Sequence, residues 1–200
     1  MTNIDSLLFK IEMTRHTPYP GALLISEPFL REEYFCHSVI CLIDYKLGNS
    51  TMGIVMNKKT KYQLNDLIPD IYSQFDIPIF CGGPLSNDRL YYIHSLGDII
   101  TDSKKILDGL YIGGDFNDII EYINSGNEIN GKIRFFIGYS GWDPGQLEDE
   151  IKNHVWAVTP SQCNLNLLHG DGDKYWHCYV KIMGEEYNGW KYHPETPSLN

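Results

Sequence analysis

Gly138-Tyr139-Ser140-Gly141-Trp142-Asp143-Pro144-Gly145-Gln146-Leu147-Glu148 packs three glycines and a tryptophan into one short stretch. It follows an apolar run at residues 132–137 that reads as a buried strand. It leads into a helix. Asp143 stands where an N-cap would, Pro144 at the first helical position, and Gln146 as the reciprocal partner of a capping box. Glu148, Asp149 and Glu150 put negative charge near the positive end of the helix dipole. The stretch therefore reads as strand, glycine turn carrying Trp142, and capped helix.

Upstream, residues 22–25, 38–44 and 51–57 read as strands, the last two joined by a Gly-Asn turn into a hairpin. Gly53 marks a bulge or a close backbone approach. Residues 64–68 read as a short helix ended by Pro69. Residues 78–81 read as a strand running into a Gly82-Gly83-Pro84 loop, and residues 90–94 and 110–113 as further strands. Asp115 caps a helix at 116–124 whose buried face is Ile119, Ile120 and Ile123. Lys58, Lys59 and Lys61, and the pair Lys104-Lys105, read as solvated loop charges.

Downstream, residues 154–158 read as a strand. Trp176, Tyr179, Val180 and Met183 recur at i, i+3, i+4, i+7, which predicts a helix from about Lys174 to a C-cap at Gly184. Ile4, Leu7, Leu8 and Ile11 predict a short N-terminal helix. The tail from 185 to 200 has no period, and Trp190 and Tyr192 are the residues that would pin it. No linker or repeat divides the chain, so 1–200 reads as one domain with its core at about 20–185.

Sixteen basic residues stand against 26 acidic ones, a formal charge of −10. That argues against nonspecific nucleic-acid binding, which needs cations to neutralise phosphates. It also argues against anionic membrane surfaces. No run approaches the roughly 20 apolar residues of a membrane span. Five cysteines form no Cys-x-x-Cys pair, and the N-terminus lacks a basic start followed by an apolar stretch. Reduced thiols and a cytoplasmic location are the expectation.

Several segments together resemble the YqgE/AlgH family. They are residues 20–28 (Pro-Gly-Ala-Leu-Leu-Ile-Ser-Glu-Pro), residues 35–40 and residues 52–57, which end on Asn57. Gly82-Gly83-Pro84-Leu85 with Arg89 and His94 follow, then the Gly-Trp stretch, Asn153, Trp156, Trp176 and Ile182-Met183-Gly184. One departure is visible: this chain reads Asn57-Lys58-Lys59 where family members often carry Asn-Arg-Pro. The resemblance implies a mixed α/β (α+β) single domain, with a branched or barrel-like mixed β-sheet surrounded by helices. It attaches a label of transcriptional regulation but no established activity.

The chemistry-bearing residues form no recognisable catalytic pattern. The histidines at 16, 37, 94, 154, 169, 177 and 193 include no pair at i, i+4, so no metal site is expected. The Gly-rich turns at 82–84 and 113–114 lack the residues of a Walker or dinucleotide loop. Ser140 does not sit in a Gly-x-Ser-x-Gly elbow, and Cys81 has no local cation to activate it. No catalytic residue and no cofactor are assigned.

The candidate binding residues are Asn57, Gly82, Gly83, Pro84, His94, Gly141, Trp142 and Glu148. If residues 79–80 and 135–137 form adjacent parallel strands, the two glycine segments meet at one edge of the sheet. Trp142 has two readings, a core plug or part of a recognition surface. The expected function is a cytoplasmic, non-enzymatic regulatory or interaction protein with a protein or small-molecule partner. Direct DNA binding and membrane association are not expected. The alternative is a small-molecule-binding protein or an enzyme with a pocket near the same two segments.

Overall fold

The structure is a computed structural model, and it describes residues 16–159 and 167–193. The expected N-terminal helix, Cys163 and the tail beyond 193 lie outside the described residues. The strands are β1 Leu23–Ser26, β2 Val39–Asp44, β3 Thr51–Val55, β4 Lys59–Gln63, β5 Pro78–Cys81, β6 Leu85–His94, β7 Lys104–Leu107, β8 Leu110–Ile112, β9 Ile133–Trp142 and β10 Trp156–Val158. The helices are α1 Leu64–Leu67, α2 Phe116–Asn124, α3 Gln146–Lys152 and α4 Gly172–Ile182, with a 3-10 helix at Glu185–Tyr192. Among the described residues no helix is long and apolar enough to cross a membrane.

One sheet runs in the order β10-β1-β2-β3-β9-β6-β8-β7, and β4-β5 branches from it at β9. The amino-terminal half of β9 lies between β6, antiparallel, and β5, parallel, with Ile79 opposite Phe135 and Phe80 opposite Phe136. Its last three residues pair with β3 instead, Ser140 opposite Gly53 and Trp142 opposite Thr51. The change of neighbour occurs at Gly138, whose φ of +74° is a left-handed turn of the backbone that glycine adopts without penalty. The fold is thus mixed α/β with a branched sheet.

Both faces of this sheet are covered, which is why its central strands read as continuous apolar runs. Leu23, Ile25, Val39, Cys41, Ile54, Phe80, Ile93 and Phe136 point to one face, where α4 and the 3-10 helix lie on them through Trp176, Tyr179, Tyr187 and Trp190. The opposite face divides. Over β5, β6 and β9, helix α2 places Ile119 and Ile123 on Ile79, Tyr92 and Phe135. Over β1, β2 and β3, Leu24, Ile40, Leu42 and Val55 pack with Trp142, Leu147 and Trp156.

Four expectations need correction. The Gly138–Trp142 stretch is strand rather than turn, because backbone partners from β6 and β3 continue past Gly138. Helix α3 starts at Gln146 with Gly145 as its N-cap at φ +83°, and no side chain caps it. Only half of the capping box survives: Gln146 Oε1 accepts the Asp143 N–H at 3.0 Å. The lysines at 59 and 61 lie on β4, and Lys104 and Lys105 lie on β7. The tail holds a 3-10 helix fixed by Tyr187 and Trp190, whereas Tyr192 is exposed.

Candidate functional site

The two glycine segments meet. Gly82 follows β5, accepts from Val55 N–H at 2.9 Å and donates to Ile137 O at 2.8 Å, so it bridges the two branches of the sheet. Ser140 Oγ donates to Gly82 O at 3.2 Å. A Cβ at Gly82 would lie 2.2 Å from Gly138 O, and one at Gly83 would lie 2.4 Å from the Tyr139 carbonyl. Both glycines are buried. Their role is close approach of backbone to backbone within the protein, which leaves no room for a partner. Only Pro84, Leu85 and Gly141 of this region face solvent.

Trp142 is in the core. Its indole is 5% exposed, and its N–H donates to Glu150 Oε2 at 2.8 Å. Trp156 donates to the same oxygen at 2.6 Å, and Gln146 Nε2 donates to Glu150 Oε1 at 2.8 Å. One carboxylate on α3 thereby clamps two tryptophans. Gly53 leaves the space that Trp142 uses, since a Cβ there would lie 3.1 Å from the ring.

Asn57, His94 and Glu148 do not converge. Asn57 is fully buried: its Oδ1 accepts Val39 N–H at 2.9 Å, and its Nδ2 donates to His37 O at 2.9 Å and Gly172 O at 3.0 Å. His94 accepts the Leu96 N–H at Nδ1, 3.2 Å away. That fixes the tautomer, so Nε2–H donates to Gly113 O at 2.9 Å. Burial pushes the His94 pKa below the ordinary histidine value. Glu148 accepts from Tyr45 Oη–H at 3.1 Å and Gly48 N–H at 3.3 Å. Burial and that carboxylate push the Tyr45 phenol up to about 12. All three side chains are engaged in holding backbone or loops.

Cys41, Cys81 and Cys178 are free thiols. Burial pushes Cys41 up to about 12 and also raises Cys81. Both are thereby kept as protonated, weakly reactive thiols.

A large concavity lies elsewhere, beside the amino-terminal ends of β5 and β9. It is a cleft of about 1000 Å³ between residues 72–78, residues 123–130 and residues 168–171. None of the eight residues expected from the sequence lines it. Arg134, on β9, is in its wall. The guanidinium is buried and donates from Nη1 to Met56 O at 2.6 Å and from Nη2 to Gly170 O at 2.7 Å. It stacks 4.4 Å from the Phe80 ring centroid. Burial lowers its pKa, opposed by nearby Tyr175 and Asp171.

Tyr72 and Phe75 stand on the rim, 76% and 78% exposed. Asn124 holds this rim: its Oδ1 accepts Tyr72 N–H at 2.8 Å and its Nδ2 donates to Asp70 O at 2.8 Å. Sequence reasoning passed over these residues. The available signal was a lone arginine inside the apolar run at 132–137, and two aromatics among polar residues at 72–76.

The profile of the AlgH-like family, DUF179, matches residues 23–188. A UPF0301 protein of Parabacteroides distasonis is 45% identical over 194 residues, covering 96% of this chain and 97% of the relative. One of Bacteroides thetaiotaomicron is 41% identical over 198 residues, covering 99% and 100%. Among solved structures, a crystal structure of a Corynebacterium diphtheriae protein superposes with a TM-score of 0.71 at 23% identity, covering 92% and 96%. The solution structure of the AlgH protein from Pseudomonas aeruginosa superposes at 0.65 and 25% identity, covering 86% and 93%.

Proposed function

This chain belongs to the AlgH-like family, and we propose that it is a non-enzymatic binding protein whose cleft takes an extended segment of a partner protein. The supporting observation is the pairing of the cleft of about 1000 Å³ with two solvent-facing aromatics, Tyr72 and Phe75, on its rim. A large exposed aromatic is costly to leave in water and is the residue type that anchors protein interfaces. The rim is held by Asn124 and the wall by Arg134, so the surface is formed before a partner arrives and little ordering entropy remains to be lost. Any regulatory role would then run through a captured protein. With a formal charge of −10, direct DNA binding is not part of the proposal.

Selection of displayed random peptides against the purified chain tests this. A Tyr72→Ser/Phe75→Ser double variant serves as counter-target. Peptides with apolar or aromatic anchors should enrich, and should bind the variant at least roughly tenfold more weakly, since interface hot spots exceed about 1.4 kcal/mol. Failure to enrich, or equal binding to the variant, would sink the reading. Stabilisation by small organic molecules alone, in a thermal-shift screen, would replace it with a metabolite site in the same cleft.

A further inference from the structure

We propose that His37, Asp173 and His177 form a binding site for a divalent transition-metal ion. One donor atom from each residue lies within 4.8 Å of the others. Asp173 is central: its Oδ1 is 2.5 Å from His37 Nδ1 and its Oδ2 is 3.1 Å from His177 Nε2. Asp173 and His177 stand at i, i+4 on α4, so they share one face of the helix. His37 arrives from the segment before β2, about 136 residues away in the chain. A histidine-pair search misses this arrangement because it joins one distant histidine to an Asp-His pair.

The framework around the three residues is built to hold them. His37 is fully buried, with its ring flat against Trp176 at 4.0 Å and 5°. Its backbone has φ +45°, a left-handed conformation that costs a non-glycine residue energy and recurs at functional sites. Its Nε2 is buried with no hydrogen-bond partner among the described residues, so its polar engagement lies on the Nδ1 side. Asn57 ties the two ligand-bearing segments together through His37 O and Gly172 O, and its own carbonyl accepts the Gly172 N–H at 2.8 Å. Arg134 anchors the preceding turn at Gly170 O. These contacts set the ligand-bearing backbone in place, as outer contacts do at metal centres.

The donor set indicates the ion. Two imidazole nitrogens and one carboxylate oxygen suit zinc, nickel or cobalt, whereas magnesium and calcium require mostly oxygen. Around zinc, with bonds of about 2.0–2.1 Å, tetrahedral donors sit roughly 3.3 Å apart. The present separations reach that with small side-chain movements. Asp173 and His177 are 34% and 25% exposed, which provides an entry path and leaves a coordination position facing solvent.

The test is zinc titration of the chelator-treated full chain by calorimetry, with cobalt as a spectroscopic probe. One zinc should bind per chain. Asp173→Asn and His177→Ala should each weaken binding by roughly tenfold or more, while His154→Asn, outside the cluster, should not. Bound cobalt should show ligand-field bands without a thiolate charge-transfer band, which separates this site from the chain's cysteines and does not depend on any variant folding. Absent stoichiometric binding, a thiolate band, or equal affinity in folded His177→Ala would each overturn the assignment.

Discussion

Trp142→Ala should lower the unfolding free energy by about 3–5 kcal/mol. The indole is almost wholly buried, between Val55, Leu147 and Trp156, and stands edge-on to Trp156 at 6.2 Å and 83°. A tryptophan buries about 150–250 Å², and at about 25 cal/mol per Å² that is roughly 4–6 kcal/mol. The figure is an upper bound, because the unfolded chain already hides part of that surface. Trp142→Phe separates packing from hydrogen bonding. It keeps most of the ring and removes the donor to Glu150. That carboxylate still receives Trp156 and Gln146, so it is not left bare, and the loss should be about 1.5–3 kcal/mol.

Combining Trp142→Phe with Glu150→Gln should give a coupling of about 0.5–3 kcal/mol, since the two side chains touch. Urea denaturation followed by far-ultraviolet circular dichroism measures all of these, with equal slopes required before midpoints are compared. A Trp142→Ala protein within about 1 kcal/mol of the parent would refute the core assignment and the strand reading of residues 138–142 with it.

Gly83→Ala should cost about 3 kcal/mol or more, because the new Cβ meets the Tyr139 backbone. Gly145→Ala, with open space around it, should cost only the left-handed backbone term of about 1–2 kcal/mol; melting temperatures rank the two. His94 is held neutral, its folded pKa below its unfolded value. Its contribution is therefore complete above the unfolded pKa of about 6.5 and is lost as pH falls through the lower folded value. A His94→Gln protein should lose that part of the pH dependence of stability, and a profile parallel to the parent's would refute the assignment. Asp143→Ala should change stability by less than about 0.5 kcal/mol, since no side-chain bond caps α3 there.

Where local chemistry and burial agreed, the sequence was legible. Asp115 caps α2 by accepting the Asn117 N–H, and the isoleucine period behind it marks the buried face, so the bounds 116–124 were readable to the residue. Two apolar runs that each end in glycine marked β5 and β9 as strands and left their parallel adjacency as a condition, which the register of the two strands meets. Strands β4 and β7 were hidden because they are short, lysine-bearing edges whose order comes from β5 and β8 rather than from their own apolar pattern.

Gly138 misled for a different reason. A single left-handed glycine inside a ladder looks, in one dimension, like the end of the strand. The cleft and the His37–Asp173–His177 cluster were illegible because each is assembled from segments far apart in the chain. Starting α4 at Lys174 also left Asp173 outside the helix that carries it.

The place of β9 in the sheet sets a schedule for the chain as it is made. Among the described residues, β3, β5 and β6 each have an edge that only β9 covers, and β9 ends some 48 residues after β6. At a synthesis rate of roughly 5–20 residues per second, the β6 edge waits about 2–10 s for its partner, and the β5 and β3 edges wait longer. During that interval the emerging chain exposes one unpaired edge of apolar strands such as Pro78–Cys81 to its surroundings. A chain synthesised only as far as Lys132 has those three strands without β9 beside them, and unpaired edges of that kind are templates for pairing with other chains.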